Sequence, residues 1–225
     1  MTARNHANGL VATIARLRRP QVVWLSLLVS MSAVAGLLLV LEGPPAPQVR
    51  GLALAAPSRA PAAASIEAVF TTRAGLDRQR WQRIVVHHSG AAFGSPATIA
   101  AEHEGRNLKG LGYHFVIGNG SGSGDGELYV GYRWLDQLPG AHAAGAESEW
   151  NNLHSIGICL VGDGDRRAPT PAQMRRLVEL VRALSGELDI PASEVRLHRN
   201  LAGTTSPGRF FPETELRAAL LTSAR

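Results

Sequence analysis

The chain of 225 residues has a single cysteine, Cys159, so its fold has to be stable without an internal disulfide. Cys159 lies in the apolar run 155–161, which is typical of a packed β-strand. A reactive cysteine needs its thiolate form, and apolar surroundings disfavour that charged form. We therefore predict a buried, inert thiol rather than a nucleophile.

Lysine is almost absent as well, because Lys109 is the only one and arginine carries the formal net charge of +5. Such a basic balance favours anionic partners, among them membrane headgroups, anionic cell-wall polymers and nucleic acid. Aromatic residues make up only 5% of the chain. No basic stripe is interleaved with them, as is typical of nucleic-acid binding, so we predict no nucleic-acid partner.

A long apolar stretch lies near the start of the sequence, at residues 22–41, and serines are its only polar members. A helix of about 20 such residues is long enough to cross the hydrocarbon core of a membrane. Arginines precede the stretch, so the positive-inside rule places residues 1–21 in the cytoplasm as a basic tail. We predict a single-pass signal anchor, Val22 to Leu41, with the following domain on the periplasmic or cell-wall side. The alternative is a cleaved signal peptide, since Ala53-Leu54-Ala55 resembles a cleavage site.

Residues 42–65 are rich in proline and alanine, which predicts a semi-extended linker, and residues 66–225 then form one domain. Capping signals predict helices from Ser95-Pro96 toward Asn107 and from Thr170-Pro171, and an amphipathic helix at 213–221. Strands are predicted at 83–88, 112–117, 127–132, 155–161 and 195–197. The glycine-rich segment 118–126 departs from the phosphate-binding pattern and precedes a strand, which favours a long hairpin turn.

This alternation predicts an α/β fold, a central mixed β-sheet flanked by helices and preceded by one N-terminal transmembrane helix. Two of the predicted strands deliver histidines at their ends, His87 and His198. Both strand ends are expected on one rim of the sheet. A strand-end histidine is commonly a hydrogen-bonded structural residue, but two of them on a shared rim favour a metal site.

Five ordered segments of the domain carry a family resemblance. They are Val86-His87-His88-Ser89, Gly112-Tyr113-His114-Phe115, Gly140-Ala141-His142-Ala143, Asn152 ahead of Ser155-Ile156-Gly157-Ile158, and His198-Arg199-Asn200 leading to Ser206-Pro207-Gly208. In this order and spacing, over roughly residues 84–212, the chain resembles the type-2 N-acetylmuramoyl-L-alanine amidases. That family includes the peptidoglycan recognition proteins and the phage amidase-lysozymes.

The resemblance implies a zinc ion held by His87, His198 and the residue at position 206. The family has cysteine or aspartate there, whereas this chain has Ser206. Imidazole is a good zinc ligand, but a serine hydroxyl is far harder to deprotonate than a thiol. Losing an anionic ligand should weaken zinc binding by at least the 10- to 100-fold typical of changes around the ligands. Zinc occupancy is therefore the weak point of the expected site.

The resemblance also implies roles for residues around the metal. Tyr113 would orient the attacking water or accept its proton, and Thr204 would donate a hydrogen bond to the developing oxyanion. The alternatives are an ordinary packed tyrosine and a loop threonine. His142 and Asn152 would line the substrate groove. Arg133 is a candidate partner for a stem-peptide carboxylate, or simply a solvated arginine. The remaining histidines of the domain are expected to be structural or at the surface: His88, His103, His114 and His154.

Three functions follow as hypotheses. The first is zinc-dependent hydrolysis of the amide between N-acetylmuramic acid and L-alanine of the peptidoglycan stem peptide. The second is a non-catalytic module that binds muramyl-peptide or peptidoglycan, and the third is a membrane-tethered scaffold. Ser206 distinguishes the first two hypotheses. A domain without an anionic ligand at this position would bind zinc poorly and could bind substrate without hydrolysing it.

Overall fold

The computed structural model describes residues 19–41, 51–54 and 66–222 of the chain, which divides into two compact units, Met1–Ala46 and Pro47–Arg225. In the first unit the structure describes helix α1, Arg19–Leu41. None of the helices in the described ranges combines the length and the apolar character that crossing a membrane requires. The signal anchor at residues 22–41 stays a prediction, and residues 1–18 of the predicted basic tail lie outside the described ranges.

The second unit is built on a six-stranded mixed sheet. Its strands are β1 Gly51–Leu54, β2 Arg83–His88, β3 Phe115–Ile117, β4 Leu128–Gly131, β5 Ser155–Leu160 and β6 Val195–Leu197. Their order across the sheet is β1-β4-β3-β5-β2-β6. β2 runs parallel to β5 and β6, and β3 parallel to β5, whereas β4 is antiparallel to β1 and β3. The central mixed sheet predicted from the sequence is confirmed.

Helices lie on both faces of this sheet, as the α/β prediction requires. Those described in the second unit are α2 Pro96–Gly105, α3 Tyr132–Leu135, α4 Ser148–His154, α5 Pro171–Leu188 and α6 Glu213–Leu221. Short 3-10 helices span Ile66–Phe70, Ala192–Glu194 and His198–Asn200.

Two helix starts follow the capping signals in the sequence. The Thr98 N–H donates to Ser95 Oγ ahead of α2, and the Gln173 N–H donates to Thr170 Oγ1 ahead of α5. Each helix begins with proline, whose missing N–H has no intrahelical partner to lose at that position. The starts predicted at Ser95-Pro96 and Thr170-Pro171 are confirmed, as is the last helix at 213–221.

The two faces of the sheet bury different clusters. On one face, here called the α5 face, Leu177, Leu180 and Leu184 of α5 pack with Ile84 and Val86 of β2. The other face, here called the site face, carries a smaller cluster under α2. Its members are Ile99, Ala100, Leu111, Val116, Cys159 and Val161. His87 is the register partner of Cys159, so both side chains point to the site face.

Two strands are shorter than predicted. The segment 112–117 is a strand only from Phe115, because the Gly112 N–H donates to the His103 ring at 2.8 Å instead of to a neighbouring strand. The segment 127–132 ends as a strand at Gly131, and Tyr132 begins helix α3. The hairpin predicted across 118–126 is confirmed by the antiparallel pairing of β3 with β4.

Strand β1 lies inside the stretch that was predicted to be a linker, residues 42–65. It pairs antiparallel with β4, from Gly51 opposite Gly131 to Leu54 opposite Leu128. The backbone groups on the outer side of β4 would otherwise lack partners, and β1 supplies them. This part of the linker prediction is corrected to an edge strand, and residues 42–50 and 55–65 lie outside the described ranges.

Candidate metal centre

The centre of the site is the point where two neighbouring parallel strands end. Val86 of β2 is paired with Leu197 of β6, so the residues that follow them, His87 and His198, lie side by side. Their ring centroids are 4.3 Å apart. Parallel strands deliver their carboxyl ends to the same edge, which is why two histidines separated by more than a hundred residues meet here.

Ser206 is held between the two histidine-bearing segments. Its Oγ accepts a hydrogen bond of 3.1 Å from the N–H of His88, the residue after His87. Its carbonyl oxygen accepts one of 2.7 Å from the N–H of Arg199, the residue after His198. Ser206 is only 5% exposed. The structure therefore brings the three predicted metal-site residues together, His87, His198 and Ser206, while leaving their role in metal binding untested.

The Ser206 loop, residues 201–209, is fastened to the turn that follows β5. A Cβ atom on Gly164 would lie 1.9 Å from the Pro207 carbonyl oxygen, so only glycine fits at this contact. The Asp165 carboxylate accepts hydrogen bonds from the Thr205 hydroxyl and from the Arg209 N–H. These bonds, the Thr205 hydroxyl first, lower the pKa of Asp165. The loop position of Ser206 thus depends on contacts with residues 164 and 165.

The histidines of the site are neutral at pH 7. Burial, followed by the charges of the neighbouring His142 and His198, places the pKa of His87 well below its ordinary value. Burial also lowers the pKa of His142 to about 4. The pKa of His198 is lowered by burial and then by His88. Neutral imidazole is the form that binds metal ions, so these rings need not lose a proton before they bind one.

Two ring nitrogens at this point lack hydrogen-bond partners in the part of the chain that the structure describes. The His198 Nε2 is buried and unpartnered. His87 bonds through its Nε2 to His142, and its Nδ1 makes no hydrogen bond to the described residues. A buried polar atom without a partner costs roughly 1–3 kcal/mol, and the buried unpartnered nitrogen of His198 lies next to a second imidazole ring, that of His87.

Comparison with known proteins decides the family. A sequence model described as N-acetylmuramoyl-L-alanine amidase matches residues 77–209. The chain belongs to the N-acetylmuramoyl-L-alanine amidase family. It is 31% identical to peptidoglycan recognition protein 1 of Rattus norvegicus over 136 residues, which cover 56% of this chain and 68% of the relative. It is likewise 31% identical to the endolysin of Enterobacteria phage T3 over 123 residues, covering 51% and 72% of the two chains.

A solved structure from the same family agrees with this fold. The N-acetylmuramoyl-L-alanine amidase LysC from Clostridium intestinale URNW superposes with a TM-score of 0.55 at 30% sequence identity. The match covers 67% of this chain and 93% of LysC. The resemblance stated from five sequence segments is confirmed.

The donor set can be tested against the zinc ion that this amidase family implies. His87 and His198 fit, because each offers an unpartnered nitrogen beside the other ring. Ser206 offers a hydroxyl oxygen instead of an anion. Within the described residues no group of three or more His, Cys, Asp or Glu side chains is arranged to hold a metal ion. The residues therefore fit zinc through two imidazoles and a neutral oxygen, a weaker set than one with a thiolate or carboxylate.

Tyr113 lies at the site with its ring centroid 5.2 Å from that of His87. Burial, and then the neighbouring Cys159 thiol, raises the pKa of Tyr113 well above its usual range. The phenol therefore keeps its proton at neutral pH, which makes it a hydrogen-bond donor rather than a base. Cys159 itself is fully buried, and burial raises the pKa of its thiol. The predicted burial of this thiol is confirmed.

Thr204 lies in the Ser206 loop and is half-buried. Its Oγ1 accepts a hydrogen bond of 3.2 Å from the Ser206 N–H. That bond uses an oxygen lone pair and leaves the hydroxyl proton free to donate. The predicted oxyanion contact thus has a donor available at this position, and its catalytic use stays a prediction.

His142 and Asn152 were predicted to line the substrate groove, but the structure engages both inside the protein. The Asn152 Oδ1 accepts from the N–H groups of His142 and Ala143, each at 2.9 Å. The His142 ring is 7% exposed and bonds to His87 and to the Ser155 carbonyl. Substrate contact by these two residues remains untested, and their observed role is to build the site around His87.

Arg133 was a candidate partner for a stem-peptide carboxylate, and that role stays a prediction. Its guanidinium donates to the carbonyl oxygens of Leu111 at 2.7 Å, Pro139 at 2.7 Å and Lys109 at 3.1 Å. The residue is only 9% exposed. Three of its five N–H donors are therefore used inside the protein. The observed arrangement makes Arg133 a clamp between two loops.

Sequence reasoning missed several residues that hold the site. Asp165 fastens the Ser206 loop, and His103 accepts the Gly112 N–H while its ring lies 5.2 Å from Tyr113. His88, expected to be structural, orders Ser206 through its backbone N–H and accepts the Gly164 N–H with its ring. These are side-chain to backbone bonds between distant segments, and no spacing pattern in the sequence signals them.

Proposed function

We propose that the domain hydrolyses the amide between N-acetylmuramic acid and L-alanine in peptidoglycan, using a weakly held zinc ion. The observation that carries this proposal is the pair of neutral imidazoles, His87 and His198, with unpartnered nitrogens beside Tyr113. Family membership supports the reaction class, and two relatives bear the names of an endolysin and an amidase.

In this proposal the zinc ion and the side chains of the site have separate roles in the reaction. Zinc, when bound, supplies Lewis-acid polarisation and activation of water. Tyr113 keeps its phenolic proton, so its part is to donate a hydrogen bond that orients the attacking water. Thr204 has a hydroxyl proton free to stabilise negative charge on the former carbonyl oxygen, a contribution that needs only a well-aimed donor.

A second candidate function is binding of muramyl-peptide without hydrolysis. Ser206 favours it, because its hydroxyl is already engaged by the His88 N–H and carries no charge. A metal site with two imidazoles and a hydroxyl would be partly empty when zinc is scarce, leaving a groove that binds without cutting. The similarity to a peptidoglycan recognition protein agrees with either function.

The experiment that separates the two candidates restores the anionic ligand. Release of stem peptide from purified peptidoglycan is measured for the wild type and for Ser206→Cys across a series of zinc concentrations. Under the amidase proposal the wild type is active at high zinc, and Ser206→Cys gains most when zinc is scarce, since a thiolate is a strong zinc ligand. Under the binding proposal the wild type binds muramyl-peptide without releasing product, and only the cysteine variant hydrolyses.

Ala202→Cys is the matched control, because it adds a thiol to the same loop outside the ligand position. A gain of activity in this control would show that a thiol acts elsewhere. A Ser206→Cys protein that binds zinc fully and still fails to hydrolyse would overturn the assignment of Tyr113 and Thr204 as catalytic residues.

The location of the domain is a proposal that rests on the sequence. Peptidoglycan lies outside the cytoplasmic membrane, and the apolar stretch 22–41 follows a basic segment. We expect protease added to spheroplasts to reach the domain. Protection of the domain, or a mature N-terminus near Ala56, would contradict a membrane-anchored, extracytoplasmic protein.

A further inference from the structure

The His142 ring occupies a space that two glycines leave open. A Cβ atom on Gly140 would lie 2.3 Å from the His142 ring, and one on Gly157 would lie 2.4 Å from it. The backbone of His142 is tied at the same time to the Asn152 side chain. Ring position and backbone are therefore both constrained, which is the condition for a side chain that orients another.

The hydrogen bonds of His142 determine where its proton lies. Its Nε2 is 3.2 Å from the Ser155 carbonyl oxygen, and its Nδ1 is 3.2 Å from His87 Nε2. A carbonyl oxygen can only accept, so Nε2 must carry the hydrogen. In the neutral ring Nδ1 is then a bare lone pair, and the contact with His87 requires a hydrogen on His87 Nε2. It follows that the lone pair of His87 lies on Nδ1.

We propose that His142 is a positioning residue that sets the tautomer of His87 and so presents the His87 Nδ1 as a metal ligand. Two hydrogen bonds connect the Ser155 carbonyl to His142 and His142 to His87, and this arrangement is here called the relay. Histidine ligands of metal ions generally donate their second N–H to a fixed acceptor, which orients the ring and raises its basicity. Here the acceptor is a second imidazole. The inference deepens the proposed function, because it concerns the same zinc site.

His142 is not itself the third ligand. Both of its ring nitrogens are engaged, one by a carbonyl and one by His87. Among the described residues no three such side chains converge as a metal site. The relay therefore explains why a histidine predicted to contact substrate is almost wholly buried, at 7% exposure.

The first test reads the tautomer directly in the metal-free full chain. Histidine side chains are labelled with 15N, and the ring nitrogens of His87 and His142 are assigned by NMR. We expect hydrogen on Nε2 in both rings. Hydrogen on His87 Nδ1 would overturn the proposal. Because no zinc or peptidoglycan is needed, this result stands whether or not the domain proves to be an amidase.

The second test measures zinc affinity in competition with a chromophoric chelator. His142→Leu removes the acceptor, and we expect zinc binding to weaken by about 10- to 100-fold. His142→Asn restores an acceptor oxygen near the position of Nδ1 and should recover most of the affinity. The matched control is His154→Leu, which loses one bond between a half-buried ring and the Arg80 carbonyl and should bind zinc as the wild type does.

Unchanged zinc affinity in a folded His142→Leu protein would overturn the relay, as would a zinc-induced shift showing direct coordination by His142 Nδ1. If His142→Leu fails to fold, the comparison of wild type with His142→Asn and the wild-type tautomer decide the question. If the wild type binds no zinc, the proposed amidase function fails, while the tautomer measurement still tests the relay.

Discussion

Two regions of the sheet differ in how their buried histidines are hydrogen-bonded. Where β3 begins, His114 is fully buried, accepts the Gly157 N–H at 2.9 Å and bonds to the Leu138 carbonyl at 3.2 Å. Gln173 near the start of α5 donates to the carbonyls of Ile117 and Val161. Where β6 ends, the His198 Nε2 is buried without a partner among the described residues. Arg80 Nη2, Ser185 Oγ and Arg196 Nε are also buried and unpartnered among those residues. What distinguishes the His198 nitrogen is the second imidazole beside it, that of His87.

The first prediction exchanges the two histidines of this comparison for alanine and carries the largest expected effects. His114→Ala loses packing against Trp81 and leaves two backbone groups unpaired, so we expect the unfolding free energy to fall by about 2–4 kcal/mol. His198→Ala should change it by less than about 1 kcal/mol in metal-free protein while weakening zinc binding by more than about 100-fold. Denaturant titration and zinc competition measure the two effects. Equal destabilisation by both variants would remove the distinction between the two regions.

The second prediction uses acid pH, because buried neutral histidines occur in both regions, His114 where β3 begins and His142 beside His87. His142 has a folded-state pKa of about 4 against an ordinary value near 6.5. The unfolded chain therefore binds more protons between these values, so stability present above pH 6.5 is lost as the pH falls toward 4. For His142 the loss is roughly 3 kcal/mol. Denaturant titrations of metal-free protein from pH 7 to 4 measure it.

His114 should add to this loss of unfolding free energy at acid pH. Burial, and then the charge of His142, lower the pKa of His114 well below its ordinary value. Protonating its Nδ1 would also break the bond from the Gly157 N–H. His198 has no such bond to break at Nε2 and should titrate closer to its ordinary pKa. An unfolding free energy that does not change from pH 7 to 4 would show that these rings are not neutral in the folded protein.

The third prediction sharpens the comparison within the site face and carries the smallest expected effect. Gly164→Ala places a Cβ atom against the Pro207 carbonyl, so the Ser206 loop must shift, and we expect a loss of about 1–3 kcal/mol in unfolding free energy together with weaker zinc binding. Gly203→Ala is the control in the same loop, because nothing lies within 4 Å of its added Cβ. Similar losses in both variants would show that contact with residue 164 does not set the position of Ser206.

Much of the fold could be predicted from local signals. The capping residues Ser95 and Thr170 marked two helix starts, and apolar runs marked the strands that carry His87 and Cys159. Such signals are readable because a cap acts within one helical turn and burial repeats with the period of the strand or helix.

The sequence by itself determined which residues meet at the rim, since His87 and His198 end neighbouring parallel strands and Ser206 follows in a short loop. Only the tertiary structure decided what their neighbours do. Arg133 turned inward to three carbonyls, and His142 joined His87 to the Ser155 carbonyl instead of facing solvent. Each of those bonds links side chains and backbone groups brought together by the packing of loops on the sheet. The direction of a hydrogen bond depends on where its donor and acceptor lie in three dimensions, and no periodic pattern in the sequence indicates that.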